Sequence, residues 1–136
     1  MDYSATGQLF FSNQYVQISV LSHLKTVQLT WDGYVAGDDY RTALLAGLEA
    51  VQTHGLTGWL ADLSNMGLIK EEDENWTNAV FFPQLVGSTV EKMAIIVSSD
   101  VFNQLSVEQI MSRVEGANFA FQYFDTMTAA VQWLLE

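Results

Sequence analysis

The chain reads as an α/β domain: an N-terminal β-hairpin, then alternating helices and strands that build a mostly parallel central sheet of about five strands with four helices. Three observations predict it. Apolar and polar residues alternate from Tyr15 to Leu21 and again from Lys25 to Trp31, the period of a strand with one buried face. Past Trp31-Asp32-Gly33 the period lengthens to that of a helix. Short apolar runs, Trp59 to Leu63 and Met93 to Val97, then recur between helical segments, as expected of strands buried on both faces of a sheet.

In the hairpin, Val16, Ile18 and Val20 oppose Gln17 and Ser19, while Val27, Leu29 and Trp31 oppose Thr26, Gln28 and Thr30. The short Ser22-His23 link makes the two strands antiparallel, and Leu9 to Phe11 extends the first one at its start. Tyr40, Leu44, Leu48 and Val51 form a helical stripe, with Asp38 and Asp39 at the positive end of the dipole and Gly55 ending the helix. A second helix begins near Glu71, with Glu72, Asp73 and Glu74 in its first turn and Trp76, Ala79 and Val80 facing the core. Pro83 should kink or end it, because proline lacks the N–H that an interior helical position donates.

Ser106 and Gln109 match a capping box, with Leu105 and Ile110 as its hydrophobic staple and Val107, Ile110, Met111 and Val114 as the buried stripe. Phe119 to Phe124 is an aromatic strand, and Asp125 or Thr126 caps a last helix that turns Met127, Val131 and Leu134 inward. Right-handed crossovers that step one way along the sheet would place every helix on one face. The other face, carrying Leu60, Ala94 and Ile96, would then be open to a ligand or to a second copy of the chain, so a homodimer is expected there.

Composition narrows the function classes. The 136 residues are enough for one domain, 1–136, with a real core. Sixteen acidic against five basic side chains give a net charge of −11, which repels nucleic acid and anionic lipid, reads first as solubility, and leaves a basic protein partner open. There is no cysteine, and the polar start from Met1 to Gly7 has no secretory pattern, so a cytoplasmic setting is expected. No apolar run approaches the roughly 20 residues of a membrane span, so no membrane insertion is expected.

No glycine-rich phosphate loop, Gly-x-Ser-x-Gly elbow or pair of histidines at metal spacing is present, so no catalytic residue, cofactor or metal is expected. His23 in the hairpin turn and His54 in the last turn of a helix read as structural. Asn75-Trp76-Thr77 fits a glycosylation acceptor by chance. The acidic run from Glu71 to Glu74 reads first as helix-dipole stabilisation, since it lacks the alternating ligands and central glycine of a calcium loop.

Phe81, Phe82, Phe102, Phe119, Phe121, Tyr123 and Phe124 are chiefly core residues. They also motivate a second reading, a carrier of a small hydrophobic ligand, because the adjacent Phe81 and Phe82 should not both face the core. A third reading, a hydrolase-like site of Asp62 with the Glu71 carboxylates, rests only on Asp62 ending a strand.

The pattern resembles the anti-sigma-factor antagonist family, or STAS domains, and more closely its SpoIIAA-like group. The residues carrying the likeness are Trp31-Asp32-Gly33, Asp62-Leu63-Ser64, the stretch from Ile69 to Trp76, Lys92 to Val97 and Ala130 to Leu134. The resemblance implies a SpoIIAA-like superhelix of strand-helix turns and a regulatory or interaction role. In regulatory members a serine at the start of the following helix is phosphorylated by a partner kinase. Here that turn falls on Lys70, Glu71, Glu72 and Asp73, with Glu71 in the phosphoacceptor place, so no phospho-switch is carried over. The resemblance marks Asp62, Ser64, Lys70, Glu71, Glu72 and Asp73 as candidate ligand- or partner-binding residues.

Overall fold

The computed structural model describes residues 7–136, so the polar start expected of Met1 to Gly7 lies, apart from Gly7, outside the described residues. The strands are β1 Gln8–Ser12, β2 Val16–Leu21, β3 Thr26–Gly33, β4 Gly58–Met66, β5 Lys92–Ile96 and β6 Ala120–Phe124. They form one six-stranded sheet in chain order. β1, β2 and β3 pair antiparallel, and β3 to β6 pair parallel. The helices are α1 Asp38–His54, α2 Glu71–Trp76, α3 Phe82–Val86, α4 Val101–Ser112 and α5 Met127–Leu135. A π-helical turn, Thr77–Phe81, joins α2 to α3 without a break, so the two form one rod and the fold has the four expected helical bodies.

The sixth strand comes from a turn that the sequence reading merged into the hairpin. The Asn13 side-chain oxygen accepts the N–H of Tyr15 at 2.8 Å and of Val16 at 3.1 Å, which reverses the chain and makes β1 a strand of its own. The β2–β3 link is a 3₁₀ turn, Ser22–Leu24, closed by Lys25 at φ 49°.

The main core lies between the sheet and α1, α3 and α4, around Leu29, Trp31, Trp59, Phe81, Ile95 and Ile110. Helix α1 comes close to the sheet at Gly47, where a Cβ would lie 2.6 Å from the Trp59 ring. A second core sits on the opposite face: Leu60, Ala94 and Ile96 pack with Ala130 and Val131 of α5. This corrects the expectation of helices on one face only. The apolar face offered for self-association is covered, with Leu60 and Ala94 fully buried. The reason is topological. Crossover handedness governs a helix between two parallel strands, whereas α5 follows the last strand and is free to fold back either way.

Three local expectations also change. Pro83 neither ends nor breaks the rod, which continues to Val86; the wider π turn lies immediately before α3 and absorbs the irregularity. That turn also shifts the helical phase. Thr77, Phe81, Phe82 and Leu85 are buried, whereas Trp76 is half-buried and Ala79 and Val80 are exposed. Phe81 and Phe82 therefore both enter the core, their rings meeting edge to face at 5.2 Å.

Finally, α4 starts five residues before the predicted capping box. Asp100 is its N-cap and accepts the Phe102 N–H at 2.8 Å. Ser106 is buried in mid-helix, and Leu105 points to solvent. The predicted stripe of Val107, Ile110 and Met111 is buried, and Thr126 caps α5 by accepting the Ala129 N–H.

Candidate functional site

Three connections meet at the carboxyl ends of the parallel strands, and the backbone of Gly67 ties them together. Its N–H donates at 2.9 Å to the carbonyl of Gly33, the last residue of β3. Its carbonyl accepts the Asn103 side-chain amide of α4 at 2.8 Å. Two residues on, the Ile69 carbonyl accepts the buried Ser106 hydroxyl at 3.0 Å, so the buried serine joins the β4–α2 loop to α4.

That loop leads into the acidic start of α2, whose four carboxylates have separate fates. Glu71 and Glu72 are exposed, and Lys70, at the N-cap, lies 3.8 Å from Glu72, an open pair that contributes little. Asp73 is fully buried. Its carboxylate accepts the Gly37 N–H at 2.9 Å and the Arg41 Nε–H at 3.3 Å, which ties the start of α1 to α2. The Arg41 guanidinium also lies 5.5 Å above the Trp76 ring. Thr77 donates its hydroxyl to the Asp73 carbonyl, so the Tyr40 phenol must be the donor in its 2.7 Å bond to Thr77. Burial pushes the Tyr40 phenol up, with smaller upward contributions from Asp73 and Glu74 against the bond to Thr77, so it remains a donor.

Glu74 is 6% exposed, and its Oε1 has no hydrogen-bond partner. Burial holds its carboxyl above the usual range, opposed by Arg113 and Ser106 and reinforced by Glu71. The acidic run is thus two solvated carboxylates followed by two structural ones, and the dipole reading covers only the first two.

Asp62 and Ser64 are placed elsewhere. Asp62 is in register with Ile96, which packs in the core beneath α5, so its side chain is on the opposite face of the sheet from α2. Its Oδ1 accepts both the Ser64 N–H at 3.1 Å and the Ser64 hydroxyl at 2.7 Å. The six candidates therefore do not form one site: Asp62 and Ser64 bind each other, Asp73 is clamped inside, and only Lys70, Glu71 and Glu72 face solvent at the helix start.

The residues that sequence reading missed stand beside them. Tyr34 and Leu68 on the connections, and Phe102 and Leu105 on α4, are exposed apolar side chains of the segments tied together at Gly67, and Phe102 is 63% exposed. A signal existed in Val101-Phe102 directly after a Ser-Ser-Asp cap sequence, since an earlier helix start rotates Phe102 away from the core.

A family model described as SpoIIAA-like matches residues 26–135. The chain belongs to the SpoIIAA-like family. The match spans β3 to the last residue of α5, so the antiparallel β1 and β2 lie outside it. This SpoIIAA-like chain is also similar to the crystal structure of an uncharacterised protein of the DUF3478 family, with a SpoIIAA-like fold, from Shewanella loihica PV-4. The TM-score is 0.58 at 16% identity, over 91% of this chain and 98% of that one, a likeness of fold. No curated protein matches this SpoIIAA-like chain.

Proposed function

We propose that the chain, acting as one domain, is a non-enzymatic regulatory or interaction module of the cytoplasm that binds a protein partner through the surface around Gly67. The observation that carries this reading is a set of exposed apolar side chains, Tyr34 after β3, Leu68 before α2, and Phe102 and Leu105 on α4, of which Leu68 sits on the loop that runs directly into the open carboxylates Glu71 and Glu72. Apolar anchors beside charge of one sign favour a partner with apolar and basic side chains. With Glu71 in the phosphoacceptor place, the surface keeps its negative charge without a kinase, at about half the charge of a phosphate or less.

Affinity capture with the wild-type chain and the Phe102→Ser/Leu105→Ser variant tests it. A partner held by the wild type and by a Gln17→Ala control, and lost by the double variant, is the expected result. Equal capture by all three overturns the reading.

The hydrophobic-carrier reading has less support. The void among Trp59, Phe81, Phe82 and Met93 is about 70 Å³, under half of the ~150 Å³ of an apolar cavity that takes up benzene. Native mass spectrometry that finds a ligand of constant mass on freshly purified protein would restore it. The hydrolase-like reading has none, because the Asp62 carboxylate is engaged by Ser64 on the far side of the sheet from α2.

A further inference from the structure

A cleft of about 330 Å³ opens between α4 and the carboxyl ends of β4, β5 and β6. Open α/β sheets place ligands at this end of their strands, and the size is at the lower end of small-molecule clefts. Its walls are apolar, made by Leu63, Ile95 and Val107.

Apart from the Ser98 and Tyr123 hydroxyls, the polar side chains in it accept hydrogen bonds. Asn103 is 1% exposed and lines the cleft; its amide nitrogen donates to the Gly67 carbonyl, and its Oδ1 has no partner. Gln104 likewise turns its amide nitrogen onto the Ser98 carbonyl at 2.7 Å, leaving its oxygen as an acceptor. Glu108 and Asp125 add exposed carboxylates, and no lysine or arginine lines the cleft. Burial first, and the Glu108 charge second, push the Tyr123 phenol up, so Glu108 is felt across the cleft.

An anionic ligand would meet two carboxylates and no counter-charge, and a purely apolar one would leave the acceptors unpaired. We propose that this cleft binds a small organic ammonium ion. Its N–H groups face Glu108, Asp125 and the amide oxygens of Asn103 and Gln104, and a compact apolar body lies against Leu63, Ile95 and Val107. The site is separate from the partner surface of Phe102 and Leu105, and the inference does not rest on that reading.

The test is a titration of the ¹⁵N-labelled chain, followed by amide chemical shifts, with 2-phenylethylammonium and with phenylacetate as its charge-reversed counterpart. The ammonium ion is expected to give saturable shifts at Val97, Asn103, Gln104, Glu108 and Tyr123, and phenylacetate none. Glu108→Gln, an exposed change that leaves the core intact, should weaken the ammonium ion about fivefold, and Glu49→Gln on α1 should leave its affinity unchanged. Absence of shifts overturns the proposal, as do equal shifts from phenylacetate. Non-saturating shifts to which the two variants respond alike also overturn it, since they report general attraction to an acidic surface.

Discussion

The Asp73 carboxylate accepts the Gly37 N–H at 2.9 Å across 36 positions of sequence, and so joins the starts of two helices. Gly37 is the N-cap of α1 at φ 62°, with no side chain of its own to cap with, and Arg41 in the first turns of α1 binds the other Asp73 oxygen. Asp73→Ala would leave a half-buried backbone donor without its carboxylate partner and a guanidinium without its counter-charge. A loss of about 2–3 kcal/mol in unfolding free energy by urea denaturation is expected, with roughly half that for Asp73→Asn, which keeps an acceptor. No loss in either variant would show that the buried carboxylate does not hold α1 to α2.

Glu74 makes stability depend on pH in a direction set by its burial. Its folded carboxyl titrates above the unfolded value of 4.5, so between those two values the folded state binds more protons than the unfolded one. Its contribution is fully present below the unfolded value and is lost as pH rises through the folded one. Glu74→Gln, neutral at every pH, should therefore be more stable than wild type at pH 7, by a margin that shrinks as pH falls toward 4. Urea midpoints across that range measure it; a constant margin would show that the ionisation is not coupled to folding.

At Gly47 the close approach of α1 to the sheet is steric. The Trp59 ring is 2% exposed and Leu29 is fully buried, so neither can move freely away from an added methyl. Gly47→Ala should destabilise by about 1–3 kcal/mol despite the better helix propensity of alanine, and tryptophan fluorescence should report the displaced indole. A gain in stability would mean that α1 can lift off the sheet without loss.

The start of α4 can be assigned by its cap. Asp100→Ala removes the acceptor for the Phe102 N–H and should cost about 1 kcal/mol, within the range for N-caps. Phe102→Ala, at a side chain 63% exposed, should change stability by less than about 0.5 kcal/mol. A helix beginning at Ser106 would instead make Asp100 dispensable, and thermal denaturation of both variants distinguishes the two starts.

What the sequence determined by itself is the kind and order of elements. Alternation at Val16, Ile18 and Val20, the helical stripe of Tyr40, Leu44, Leu48 and Val51, and the apolar run from Trp59 to Leu63 each report the local period of burial, which the backbone geometry of strand and helix dictates.

Only the tertiary structure decided which face α5 covers, because no crossover rule binds a helix after the last strand. It also decided that Phe81 and Phe82 are both buried, since one π turn rotates every later residue of the rod. Ser106 looked like a cap because its local spacing fits one, but its hydroxyl finds Ile69, 37 positions away. The acidic start of α2 was divided in the same manner. Glu71 and Glu72 remain in solvent, whereas Asp73 is drawn inside by a backbone N–H of α1, and contacts of that sequence separation leave no mark on local periodicity.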